Sequence, residues 1–404
     1  MCAEPHEGRR SVVRGGYCRQ SGRHPCRPRI TNSDALSGAH ASREIQEIPL
    51  RQTTKYAAVF AAAALALSAC GGGNGGGGST GTDGTDAPSN GGEKASDVKV
   101  GMAYDVGGRG DQSFNDAAAA GMDQAKAEFG IETSEATAVD GEPEAAREER
   151  LQQLVDTGHT TIIAVGFAYA ASVAKVAPNN PEVHFALIDS TDAEGENIAN
   201  LVFAEHEGSF LVGAAAALKT KTDHIGYVGG VEVPLIQKFE AGYVAGAKEV
   251  NPDIKIDTTY LTQPPDFSGF GDPAKGKTAA EGFFQGGADV VYHAAGGSGG
   301  GVFTAAKEAN KMAIGVDSDQ AKTAAPEVQD VIITSMIKKL DVAVYNFLKA
   351  EVDGTFEAGA QEFNLKEGGV DYSTTGGKVD DIKAQLDELK QKIIDGEITV
   401  PTTP

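Results

Sequence analysis

VKVGMAYDVGGRGDQSFN, residues Val98–Asn115, is the stretch from which the fold is read. Val98, Val100, Met102 and Tyr104 alternate with Lys99, Gly101 and Ala103, Asp105 ends the run, and glycines 107, 108 and 110 follow before a helical pattern opens at Ser113. The order is strand, loop, helix. In an open parallel sheet the ligand sits at the carboxyl end of the strands, so Asp105, the glycine loop and the first helical turn share one crevice. Phe114 offers an aromatic face there, and Asn115 a side chain that both donates and accepts hydrogen bonds. A carboxylate, an aromatic ring and an amide suit a flat polar ligand.

Outward from this stretch the same unit recurs. Apolar runs fall at 160–166, 183–189 and 198–203, then at 224–229, 254–261, 288–294, 312–317 and 331–337, with helical periodicity between most of them. The segment 133–140 is ambiguous. Repeated βα units predict parallel sheet, and their number exceeds one comfortable sheet, so the chain divides into two doubly wound lobes of an α/β fold. A last helix is expected over 380–394. The positions just past the strands are Asp105, Gly166-Phe167, Asp189-Ser190, Gly229-Gly230, Gly296-Gly297, Asp317 and Ser335, with Lys338 one turn on. Carboxylates take hydrogen bonds from hydroxyls, and bare glycines let a ligand approach the backbone, so the set favours a polyol over an anion.

The chain has 404 residues, no tryptophan and a formal charge of −22. Such an acidic surface argues against a nucleic-acid partner. All four cysteines, at 2, 18, 26 and 70, precede the patterned region, which rules out a disulfide framework or a cysteine-based zinc site there. Residues 1–50 show no sustained period and read as an unstructured leader. Arg51 and Lys55 precede the apolar run 56–67, and Leu67-Ser68-Ala69-Cys70-Gly71 resembles the lipobox of bacterial lipoproteins, so 51–69 is read as a signal peptide and Cys70 as the lipidated residue. The stretch 70–97 is a Gly/Ser/Thr-rich tether. Loss of 1–69 removes ten basic and five acidic residues and takes the charge from −22 to −27. The expected location is the outer face of the cell membrane.

Three motifs carry little weight. Gly108-Arg109-Gly110 begins a dinucleotide-like pattern whose third glycine is replaced by Ser113, Arg109-Gly110-Asp111 spells an adhesion tripeptide that occurs often by chance, and GDPAKGKT at 271–278 lacks the spacing of a phosphate loop. No H-E-x-x-H helix occurs, and the histidines are scattered rather than grouped into a hydrolytic arrangement. Neither a cofactor nor a metal is expected, and an enzyme, such as an NAD-dependent one using the same crevice, is the minority alternative.

From about Val98 to Pro401 the chain resembles the basic membrane protein (BMP) family of substrate-binding lipoproteins, which includes purine nucleoside receptors of ABC transporters. The residues that carry the resemblance are Asp105–Gly108 with Asp111–Asn115, Gly208–Gly213, Phe239–Gly246, Gly269–Lys277, Ala295–Gly297, Ile314–Gln320 and Thr334–Lys338. It implies a type I periplasmic-binding-protein-like fold, two lobes joined by a hinge of three crossovers with the ligand clamped between them. With it go the expected lobes, 98–205 with 318–350 and 206–317 with 351–404. It further implies that Phe114 and Phe270 sandwich a base, that Asp105, Asp189 and Asp317 hold base or ribose together with Lys338 and the backbone of Gly297, and that Asn115 contacts the base. Phe267, after the unusual Pro264-Pro265, is an alternative stacking residue. The implied partners are a nucleoside, purine first, and membrane permease subunits, with the protein itself a monomer. A receptor for another polyol such as a sugar is the alternative within the fold.

Overall fold

The computed structural model describes residues 97–404, so the leader, the signal peptide, Cys70 and the tether up to Ala95 and Ser96 lie outside the described residues. The opening stretch forms β1 (Lys99–Tyr104) and α1 (Phe114–Phe129), then come β2 (Glu132–Thr137), α2 (Glu144–Asp156), β3 (Thr161–Ala164), α3 (Ala170–Val176), β4 (His184–Ile188) and β5 (Ile198–Phe203). The chain continues through α4 (Glu205–Lys219), β6 (His224–Val231), α5 (Pro234–Val250), β7 (Lys255–Thr262), α6 (Pro273–Gln285), β8 (Val290–Ala294), α7 (Gly299–Ala309), β9 (Met312–Asp317), α8 (Gln320–Thr323) and β10 (Ile332–Lys338). It closes with α9 (Leu340–Asp353), β11 (Gly359–Phe363), β12 (Val370–Tyr372) and α10 (Lys383–Ile394).

Two six-stranded sheets result, ordered β11-β5-β4-β3-β1-β2 and β12-β10-β9-β8-β6-β7. Every pairing is parallel except β10 with β12. Central strands such as β3, β8 and β10 are buried at every residue, as strands covered by helices on both faces must be, and so they read as continuous apolar runs. The edge strand β2 is half exposed and reads ETSEAT, which is why 133–140 was ambiguous.

The division of the chain between lobes differs from expectation at its carboxyl-terminal end. β10 lies beside β9 in the second sheet, so 332–338 belongs to lobe 2 and not to lobe 1. The chain crosses at Lys339. α9 then packs on α1, with Tyr345 stacked on Phe129 at 5.7 Å, and β11 adds to β5 in the first sheet, so 340–363 belongs to lobe 1. A further crossing returns the chain to β12 and to α10, which packs on α4. With the step from β5 into α4 there are three crossings, and they are tied together: Ala204 N–H donates to Phe363 O (3.0 Å) and Lys339 N–H to Gly369 O (2.9 Å). The apolar pattern could not reveal this, because a strand looks the same whichever sheet it joins.

The glycine-rich helices of lobe 2 are a packing device. A Cβ on Gly213 of α4 would lie 2.1 Å from Tyr243 O, and one on Gly246 of α5 1.9 Å from Phe210 O, so the two backbones touch where no side chain fits.

Candidate functional site

The carboxyl ends of both sheets face each other across a cleft lined by residues of both lobes. Asp105 enters it from the end of β1, Asp189 from that of β4, Asp317 from β9 and Lys338 from β10, while Phe114 and Asn115 come from the first turn of α1 and Phe270 from the loop before α6. Seven of the eight residues singled out from the sequence therefore line one space. Gly297 does not. Its neighbour Gly296, at φ +52°, lines the cleft in its place.

Phe267 does not line the cleft either. Its ring meets the edge of Phe167 at 6.0 Å and lies under the Arg147 guanidinium at 5.7 Å. Phe270 does line the cleft, as does Phe239 of α5, and Gly230 is bare because the Phe270 ring occupies the place of its Cβ, 2.5 Å away. That glycine makes room for an aromatic side chain rather than for a ligand. Gly166 has a related task. At φ +111° a side chain would be strained, and its Cβ would stand 2.7 Å from Asp105 Oδ2.

Lys338 is the last residue of a strand, not a residue on a helix, and only 2% of it is exposed. Its ammonium lies 2.5 Å from Asp189 Oδ2 and 3.2 Å from Glu205 Oε1, with the rings of Phe203, Phe114 and Phe239 at 4.9, 5.2 and 5.7 Å. Burial opposes the charge, but Asp189, Glu205 and Asp317 outweigh it and hold the amine firmly protonated. Burial likewise pushes the carboxyls of Asp105 and Asp317 up to about 6, against the Val106 N–H that Asp105 accepts and against Lys338 and the Ser113 hydroxyl beside Asp317. Ser113 Oγ–H donates to Asp317 Oδ2 at 2.6 Å.

Two buried acceptors in the cleft have no partner among the described residues, Asn115 Oδ1 and Asp189 Oδ1. A buried oxygen left so is costly until something donates to it. Asp111 is fully engaged, accepting from the backbone of Ser113, Asn115 and Asp116 and from Asn115 Nδ2. Sequence reasoning did not select Asp111, Ile236, Phe239 or the partner carboxylate Glu205, and it named Phe167 only as a strand-end position. Asp111 and Phe239 stand inside the motifs quoted above and Phe167 directly follows a strand-end glycine, whereas nothing local distinguishes Glu205.

The discounted motifs are accounted for. Arg109 is held by Asp123 and Glu135 at 2.8 and 2.6 Å, and Lys277 by Glu308 at 2.8 Å, so neither presents a free cation. Among the described residues lining the cleft there are four aspartates and one lysine.

Residues 98–404 match the family model described as Bmp, ABC transporter substrate-binding protein PnrA-like. The chain belongs to this family. It is 35% identical over 332 residues to the "ABC transporter nucleoside-binding protein BmpA" of Lactococcus lactis, covering 78% of this chain and 93% of that one. To the "CD4+ T-cell-stimulating antigen" of Listeria innocua it is 35% identical over 341 residues, 79% and 93% of the two chains. Among solved structures, an ABC transporter solute-binding protein from Aeropyrum pernix superposes with a TM-score of 0.66 at 34% identity, over 76% of this chain and 93% of that one. The Bmp fold, two lobes of mostly parallel sheet about a cleft, is thus that of solute-binding proteins, and the molecule is a substrate-binding protein of an ABC transporter.

Proposed function

We propose that this Bmp protein is a lipid-anchored receptor on the extracytoplasmic face that binds nucleosides, purine nucleosides first, in the interlobe cleft and delivers them to membrane permease subunits. The observation that carries the ligand class is the combination of two phenylalanines from opposite lobes, Phe114 and Phe270, with four aspartates and a lysine already paired to carboxylates. Aromatic faces suit a base, and stacking contributes roughly 1–3 kcal/mol per base. Carboxylates suit ribose hydroxyls and amine or imine N–H groups. The same acidic lining disfavours a phosphate, since Lys338, the one cation in it among the described residues, is spent on Asp189 and Glu205. The name of the Lactococcus relative points the same way.

A thermal-shift screen with nucleosides, free bases and sugars tests this. A ligand at a hundred times its dissociation constant adds about 2.7 kcal/mol of stability. Stabilisation by inosine, guanosine or adenosine and not by sugars is expected, while stabilisation by sugars alone moves the assignment to a polyol receptor.

A further inference from the structure

The motifs DQSFN (111–115) and IGVDSDQ (314–320) supply Asp111, Phe114, Asn115, Val316 and Asp317 to the cleft, yet Gln112, Ser113, Ser318 and Gln320 do not line it. They meet each other across the lobes instead. Gln320 Nε2–H donates to Gln112 O (3.0 Å), Thr323 Oγ1–H to the same oxygen (3.4 Å), Ser318 Oγ–H to Ser113 O (3.1 Å), and Ser113 Oγ–H to Asp317 Oδ2 (2.6 Å). Gln112 stands at φ +56°, a left-handed conformation uncommon for a side-chain-bearing residue, and Asp317 at φ +62°.

Gln320 is itself fixed from behind. It is 2% exposed, its Oε1 accepts from Val316 N–H (2.8 Å) and lies 3.1 Å from His293 Nε2, and its own N–H donates to Ser335 Oγ (3.1 Å). Because Oε1 can only accept, His293 Nε2 must carry the hydrogen. Burial depresses the His293 pKa to about 4, so the ring is neutral. The amide orientation is thereby forced, and the Gln320 NH₂ group can point only at the opposite lobe.

We infer that Gln320, with Ser318 and Thr323, is an interlobe latch that positions the first turn of α1, and so Phe114, Asn115 and the Asp317 carboxylate, and that it sets how readily the clamp stays shut. The latch touches no ligand. It therefore acts on every ligand alike, through the fraction of molecules in the closed, binding-competent form.

Two variants separate this from a structural role. Ser318→Ala with Thr323→Ala removes only hydroxyls, one at a part-exposed and one at an exposed position. Gln320→Glu keeps the acceptor for Val316 and His293 but sets an oxygen against the Gln112 carbonyl. Inosine and adenosine dissociation would be timed by stopped flow, and interlobe distances measured by double electron–electron resonance with one spin label on each lobe, in a chain that has no cysteine after Cys70. Both variants are expected to lose closed population and to release both nucleosides faster by a common factor, on the order of tenfold for two lost hydrogen bonds, with association little changed. Wild-type distances and rates in the double alanine variant, or unequal factors for the two ligands, overturn the latch. The inference rests on nucleoside binding only in its kinetic arm. If wild type binds neither nucleoside, the proposed ligand fails while the distance measurement still judges the latch.

Discussion

Lys338 shows most clearly what a single residue does in this cleft. Its ammonium joins Asp189 of lobe 1 and Glu205 at the start of α4 in a nearly dry environment, so replacing it leaves two buried carboxylates facing each other. Lys338→Met is expected to cost about 3–5 kcal/mol by urea denaturation, as for other buried pairs broken from one side. Adding Asp189→Asn and Glu205→Gln to that variant is expected to restore most of the loss. Asp317 gives the complementary case. Its carboxyl is raised by burial to about 6 in the folded protein, so the folded state holds its proton more tightly than the unfolded one, and this group's contribution to stability is present at low pH and lost as pH rises through 6. Asp317→Asn, which tolerates the left-handed backbone, is therefore expected to raise the stability of the ligand-free protein at pH 8 by on the order of 2 kcal/mol and to make little difference at pH 4. Denaturation at the two pH values checks this, and a gain that is equal at both would contradict it. With ligand the sign reverses, because hydroxyl donors need the ionised form and affinity falls below about pH 6.

At the level of elements, two helix glycines make opposite predictions from the same substitution. Gly246 in α5 abuts Phe210 O, and alanine there must push two helices apart, so Gly246→Ala is expected to destabilise by about 1–3 kcal/mol despite the better helix former. Gly282 in α6 is exposed with nothing near its Cβ position, and Gly282→Ala is expected to stabilise by roughly 0.5–1 kcal/mol. Melting curves of the two variants separate packing from propensity. The same contrast explains what the sequence could show. Central strands such as β3 and β10 are legible because burial on both faces leaves an unbroken apolar run. β11, reading GAQEF at a sheet edge, and the three-residue β12 leave no such trace, and without them the return of 340–363 to lobe 1 cannot be read. Site residues at strand ends were found because topology puts them there. Glu205 was missed because its partner Lys338 is more than a hundred residues away in sequence, and the Gln112–Gln320 contact because its two sides come from lobes whose approach no local pattern encodes.

For the whole molecule, export and binding are separate claims. Cys70 lies outside the described residues, and its lipidation rests on the apolar run, the small residues before it and the tether after it. Cys70→Ala is expected to release the protein from membranes or to leave an uncleaved precursor on fractionation. Normal processing with full membrane retention would refute the anchor. Binding rests on two lobes closing over a base. Phe114→Ala and Phe270→Ala are each expected to weaken nucleoside binding by about 1–3 kcal/mol, since each removes one face of the stack. The most direct measurement is titration calorimetry of the exported domain with inosine, ribose and inosine 5′-monophosphate at pH 7.5. Tight binding of inosine alone is the predicted result, because ribose lacks a face to stack and the phosphate meets four aspartates and a lysine already paired. Ribose or the nucleotide binding as tightly as inosine would contradict it.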